Sequence, residues 1–178
     1  MVDTTAEDGV VTRDMMTAAD DLLAELARLG IAHETLRHPA VYTVEESLRV
    51  VGELPGGHIK NLFLRDKPGR MWILVMPAER TIELKQLAAL LGTSRLSFAS
   101  AARMARPLGV GAGAVTPFAV INDHEQAVTV VIDEELLSRD RVNLHPLENT
   151  ATTGIAPAAL IRFLEAVGHP PLLLALDG

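Results

Sequence analysis

The chain has 178 residues, no cysteine and a formal net charge of −7. That excludes disulfide scaffolds, zinc–thiolate centres and cysteine nucleophiles. It also argues against a broad phosphate-tracking surface, which needs clustered Lys and Arg, while leaving room for a local basic patch that grips one end of an RNA.

The apolar content of 48 % comes mainly from Ala, Leu and Val, with only four Phe, one Tyr and one Trp. So few aromatics argue against a platform that stacks successive bases of a single strand. The length suits one domain with a sizeable core. No apolar run reaches the roughly 18 residues of a membrane span. Residues 1–12 are acidic and polar, without the basic and apolar regions of a signal peptide, so cytoplasm is the default location.

In chain order, residues 1–12 read as a disordered lead-in ending at Thr12 or Asp14 as a helix cap, and residues 13–178 as the folded part. Met15, Ala19, Leu22, Leu23, Leu26 and Leu29 recur at helical spacing, with Gly30 as the stop. Ile31 to Leu36 predicts a short strand running into His38-Pro39, where the residue before proline favours extended backbone. Thr43-Val44-Glu45-Glu46 is a capping box that starts a helix ending near Gly52. Leu54 to Gly57 is a loop. His58–Leu64 and Met71–Met76 predict a hairpin about the turn Asp66-Lys67-Pro68-Gly69.

A helix over Ile82–Leu91 is closed by Gly92, a short strand covers Leu96–Phe98, and an Ala-rich helix follows from Ser100. Gly109, Gly111 and Gly113 at alternate positions suit neither helix nor regular strand. They predict a loop whose backbone approaches something closely. Ala119–Ile121, an Asn122-Asp123 turn and Val128–Ile132 predict a second hairpin. A short helix at Asp133–Leu137, a strand at Val142–Leu144, a polar loop from His145 to Thr153 and a helix from Pro157 to Val167 complete the pattern. Helices interleave with strands, several joined by short turns, so the expected fold is α/β with a mixed sheet.

Chemistry concentrates in three stretches. Lys60-Asn61 lies between Ile59 and Leu62-Phe63-Leu64. A lysine in an apolar run is either alternation toward water or a cation at a pocket mouth, poised for an anion or a developing negative charge. The glycine run is either a surface loop or a row of backbone N–H groups lining a small pocket; it fits neither the Walker nor the dinucleotide pattern. His145 to Thr153 packs an imidazole, a carboxylate, an amide and three hydroxyls into nine residues. Such a segment is either a capping loop or one that orients a water and a ribose. His33, His38, His58, His124 and His169 show no metal-ligand spacing, so no metal site is expected. Glu45-Glu46 and Asp133-Glu134-Glu135 read as solvated helix starts.

Taken in order, Lys60–Leu64, the Gly109–Phe118 loop and Val142–Thr153 resemble the YbaK/prolyl-tRNA-synthetase-associated editing domains, and within them the free-standing ProX (PrdX-type) branch. Leu96–Ser100 and Phe118–Asp123 fit the same pattern, and the resemblance covers about residues 15–175. It implies a single domain with a mixed, curved, partly barrel-like β-sheet flanked by helices. The activity implied is cofactor- and metal-free hydrolysis of alanine mischarged onto proline tRNA, with prolyl-tRNA excluded by size. Alternatives are the same chemistry on cysteinyl- or seryl-tRNA, or a non-catalytic module binding an aminoacyl-adenosine or a partner protein.

The implied catalytic residues are Lys60, Asn61 and His145. Those implied to bind substrate are Gly109, Gly111, Gly113, Asn149 and Thr150, with Val44, Leu48 and Ile59 as candidate pocket wall by their nearness to the lysine. The implied partners are the acceptor end of proline tRNA and prolyl-tRNA synthetase, with neither DNA nor a membrane. One departure stands out: relatives commonly carry Pro-Gly where this chain has Ala112-Gly113, which loosens the loop.

Overall fold

The computed structural model describes residues 17–52, 54–110 and 114–176, with the backbone alone at 44, 101 and 104–106. The lead-in at 1–12, the start of the first helix at Met15, and Gly111 to Gly113 lie outside the described residues. The elements run α1 (Ala19–Arg28), β1 (Glu34–Arg37), α2 (Val44–Val51), β2 (Ile59–Asp66), β3 (Met71–Pro77), α3 (Leu84–Leu91), β4 (Leu96–Phe98) and α4 (Ala101–Leu108). A 3₁₀ helix (Pro117–Asn122) follows, then β5 (Val128–Asp133), a second 3₁₀ turn (Glu134–Ser138), β6 (Val142–Leu144), β7 (Ala151–Ile155), α5 (Pro157–Ala166) and β8 (Leu172–Leu174).

The fold is mixed α/β, with its strands divided between two sheets. The larger has the order β4-β2-β3-β5-β8; β4, β2 and β3 pair antiparallel, whereas β3, β5 and β8 run parallel. The smaller, β1-β7-β6, is antiparallel throughout. Neither of these sheets closes into a barrel.

β3 explains its own sequence. Met71-Trp72-Ile73-Leu74-Val75-Met76 is an unbroken apolar run because both faces of the strand are covered. Ile73 and Val75 face the principal core, which includes Phe63, Ile132, Phe118 and Phe163; Trp72, Leu74 and Met76 face a second core with Leu64, Leu87 and Val131. Phe118 and Phe163 meet edge to face at 5.4 Å, a geometry that adds to the roughly 1.5–3 kcal/mol each ring gains from burial.

The turn between β2 and β3 is tied by Asp66, whose Oδ1 accepts from the backbone N–H groups of Gly69 (2.9 Å) and Arg70 (2.7 Å). Its Oδ2 takes the Arg70 guanidinium and the Thr93 hydroxyl.

Three expectations need correcting. Ala119–Ile121 is not a strand: Pro117 supplies a pre-set φ, Thr116 Oγ1 accepts from Phe118 N–H, and buried Asn122 donates to Leu108 O, winding the segment into a 3₁₀ helix. β5 consequently has no hairpin partner and pairs in parallel with β3. The second half of the His145–Thr153 loop is a strand, β7, sandwiched between β1 and β6, with Thr153 Oγ1 bonded to Thr35 Oγ1 at 2.8 Å. The first strand starts at Glu34 rather than Ile31, which is buried in the principal core.

Candidate functional site

The N-terminal end of β2 lies where the two sheets meet, and its approach is held by a set of buried contacts. Gly56 takes φ +87, and a Cβ there would sit 2.2 Å from the Arg141 carbonyl oxygen, so only glycine fits. Asn143 on β6, 7 % exposed, donates Nδ2–H to Pro55 O at 2.8 Å and to Gly57 O at 3.1 Å. Arg141 Nε donates in turn to Asn143 Oδ1 at 2.9 Å, while its Nη1 pairs with Glu34. Arg139 adds a bond to Gly56 O. Two glycines, an asparagine and two arginines thus fix the loop that delivers His58 to Asn61.

The backbone of β2 is oriented by its ladder. His58 O accepts from Ala78 N and Asp66 N–H donates to Arg70 O, so the even-numbered residues exchange hydrogen bonds with β3. Phe63 O accepts from Ala99 N on the opposite side. β4 covers that opposite edge only from Leu64 to Asp66. Asn61 N–H and C=O therefore face an edge that none of the described strands covers.

Beside this edge is a solvent-open pocket lined by Ile59, Lys60 and Asn61 of β2, Asn143 and Leu144 of β6, His145, and Thr152 of β7. Val41, Tyr42, Thr43 and Ser47 around the start of α2, Leu54 and His58 of the loop before β2, and Val115 beyond the glycine loop complete it. The Lys60 side chain has no hydrogen-bond or ion-pair partner among the described residues, and the Oδ1 of Asn61 is buried without a donor.

His145 is held in one tautomer. Its Nδ1 lies 2.9 Å from Ala151 O, and a carbonyl can only accept, so Nδ1 carries the proton and the neutral ring keeps its lone pair on Nε2. Desolvation by burial pushes its pKa below the usual histidine value, and the neighbouring His38 adds to this, against the opposing pull of the Ala151 carbonyl. The ring centroids of His38 and His145 are 6.3 Å apart. In a neutral ring, His38 Nδ1 donates to Pro39 O and its Nε2 accepts from Thr152 Oγ1 at 2.8 Å. The Thr152 hydroxyl is thereby oriented as an acceptor at the pocket wall.

The expected residues thus fall into groups. Lys60, Asn61, His145 and Ile59 share the pocket. Asn149 and Thr150 do not line it; they hold its wall. Asn149 Nδ2 donates to Val41 O, Asn149 O accepts from Val41 N, and Thr150 O accepts from His38 N. Gly109 is exposed at φ +68 after α4 and lies outside the lining, as does Leu48. The side chain of Val44, and Gly111 and Gly113, fall outside the described residues.

A family model of the aminoacyl-tRNA editing domain matches residues 38–163, which contain every strand and side chain of this pocket. The chain belongs to the aminoacyl-tRNA editing domain family. The prolyl-tRNA synthetase associated domain-containing protein 1 of Danio rerio is 40 % identical to it over 154 residues, covering 85 % of this chain and 84 % of the relative. The prolyl-tRNA editing protein ProX of Acetoanaerobium sticklandii is 37 % identical over 155 residues, covering 86 % and 94 %. A solved structure described as a candidate trans-editing enzyme for prolyl tRNA synthetase shares the fold, with a TM-score of 0.69 and 19 % identity over 92 % of this chain and 99 % of that one.

Sequence reasoning passed over four residues of this editing domain: His38, Asn143, Thr152 and Tyr42. A histidine before proline, an asparagine inside a three-residue strand and a threonine in a polar run carry no local mark of a shared pocket. Tyr42 had one usable signal, as the chain's sole tyrosine directly before a capping box.

Proposed function

We propose that the chain is a trans-editing aminoacyl-tRNA deacylase that hydrolyses the ester of alanyl-tRNA(Pro) and spares prolyl-tRNA(Pro). The observation that carries the reading is the convergence of the neighbours Lys60 and Asn61 with His145, far from them in sequence, on one pocket of an editing domain.

In this mechanism the aminoacyl ester enters the pocket with its carbonyl toward the open edge of β2. A water is positioned by the Nε2 lone pair of His145. Its oxygen attacks the carbonyl carbon, its proton passes to Nε2, and the carbonyl electron pair moves to oxygen. Asn61 N–H and the Lys60 ammonium face that developing oxyanion, where one such donor is typically worth about 10²–10³ in rate. Collapse of the tetrahedral intermediate breaks the bond to the ribose oxygen, which takes the proton back from His145. The products are the free amino acid and a tRNA with its terminal hydroxyl restored. The depressed pKa of His145 keeps it unprotonated, hence basic, at neutral pH.

Selection is steric. Val41, Ile59, Leu144 and Val115 supply an apolar wall around the amino-acid side chain. A wall that admits a methyl group and clashes with a pyrrolidine ring discriminates more sharply than one judging a missing methylene, worth about 1–3 kcal/mol. A chain of net charge −7 has little general attraction for tRNA, which supports delivery of the acceptor end by prolyl-tRNA synthetase.

The test is a panel of alanyl-, cysteinyl-, seryl- and prolyl-tRNA(Pro) incubated with the native chain. Rapid release of alanine alone supports the reading. Release of cysteine or serine instead reassigns the substrate, and stability of all four esters removes the activity.

A further inference from the structure

We propose that Tyr42 forms a nucleobase subsite at the mouth of the pocket, where its ring stacks on the terminal base of the substrate; the inference rests on the aminoacyl-tRNA reading above. Tyr42 is the single tyrosine of the chain and is 70 % exposed, yet it belongs to the pocket lining. An aromatic ring left in water gains nothing for the fold, whereas a planar ligand placed over it recovers the apolar area.

The backbone beneath the ring is pinned on both sides. Tyr42 N–H donates to Glu46 Oε2 at 2.9 Å, and buried Val41 exchanges two hydrogen bonds with Asn149. Exposed ring and fixed backbone together make a platform whose ordering cost is met before the ligand arrives. The arrangement also gives Asn149 a purpose: it positions the platform from outside the pocket.

Among the described residues the imidazoles near the pocket are engaged by hydrogen bonds: His38 with Pro39 and Thr152, His145 with Ala151, and His58, which also lines the pocket, with Gly52 O. Phe98, 63 % exposed, pairs with Leu64 at the far end of β2. A ligand whose ester lies against Lys60 and His145 carries its ribose and base outward, and Tyr42 is the aromatic face at that exit. Stacking of this kind tolerates any base, so the subsite grips the end of the chain without reading sequence.

The test uses a non-hydrolysable amide analogue of alanyl-adenosine, and the same amide on a ribose without a base, in calorimetric titrations. The native chain and Tyr42→Phe bind the adenosine analogue alike. Tyr42→Leu, which keeps apolar bulk without a π-face, binds it about 5- to 150-fold more weakly, the range expected for one base–aromatic stack. The base-free amide is bound equally by all three. Equal binding of the adenosine analogue by Tyr42→Leu overturns the subsite, as does no detectable binding by the native chain.

Deacylation is followed in parallel, so the two readings fail separately. Analogue binding that depends on Tyr42, with no hydrolysis of any charged tRNA, leaves the subsite and removes the hydrolase. Hydrolysis with KM unchanged in Tyr42→Leu does the reverse.

Discussion

Replacing Asn143 by alanine tests how the site is built without touching a proposed catalytic group. The amide is 7 % exposed and makes three hydrogen bonds, donating to Pro55 O and Gly57 O and accepting from Arg141 Nε. Each such bond contributes about 0.5–1.5 kcal/mol net, and a buried group left without a partner costs more. Pro55 is exposed and Gly57 partly so, which lets water replace the lost donor, and Arg141 keeps its bond to Glu34. The expected loss is therefore about 2–3 kcal/mol. In a chain of this size that lowers Tm by roughly 4–12 °C.

Because the freed loop delivers Lys60 and Asn61, kcat/KM falls as well, at temperatures where the variant remains folded. Asn143→Asp retains the acceptor for Arg141 but sets a carboxylate against two carbonyl oxygens, so it is no more stable than the alanine variant. Thermal unfolding by circular dichroism with a parallel deacylation assay reads both effects. A Tm within about 1 °C of native for Asn143→Ala would refute the idea that this amide holds the loop.

Gly92→Ala and Gly56→Ala should differ in urea unfolding: Gly92 is left-handed in open space and costs about 1–2 kcal/mol, whereas Gly56→Ala adds a collision with the Arg141 backbone and loses clearly more. His145→Gln should lower the deacylation rate about 10²–10⁴-fold. The native pH–rate profile should stay active below the ordinary histidine pKa of about 6.5 and fall only at lower pH, because burial favours the neutral ring. By the same linkage, the contribution of His145 to stability is complete above that pH and is lost as pH drops toward the depressed native pKa. Burial pushes the Asp66 pKa up, but bonds from Thr93, Arg70 and Gly69 outweigh it and hold the carboxyl below its usual range. Its stabilisation is present above the unfolded value of about 3.9 and is lost as pH falls through the native one. Acid unfolding of Asp66→Asn should therefore begin from a lower stability and vary less with pH than native.

Features governed by neighbours along the chain are legible in the sequence itself. Thr43 caps α2 by accepting from Glu46 N–H, as its capping box predicts, although the Glu46 carboxylate reaches Tyr42 N–H rather than that of Thr43. Gly30, Gly52 and Gly92 end their helices at positive φ, and Gly69 turns the β2–β3 hairpin. The features that sequence conceals depend on contacts between distant segments. β8 is three leucines after two prolines, and pairing with β5 alone makes it a strand. Thr152 and Thr153 look like loop residues until His38 and Thr35 satisfy their hydroxyls inside a sheet. The site follows the same division. Lys60 and Asn61 are conspicuous because charge and amide interrupt an apolar run, whereas the Asn143 clamp and the His38–Thr152 contact have no local signature.

The central claim is that the pocket around Lys60 hydrolyses a mischarged ester, and single-turnover deacylation of alanyl-tRNA(Pro) by native protein and Lys60→Ala tests it most directly. The Lys60 side chain has no hydrogen-bond or ion-pair partner among the described residues, so its removal leaves no buried charge behind and Tm should be unchanged. The account predicts alanine release slowed about 10²–10³-fold at equal Tm. Release at the native rate by Lys60→Ala would contradict it.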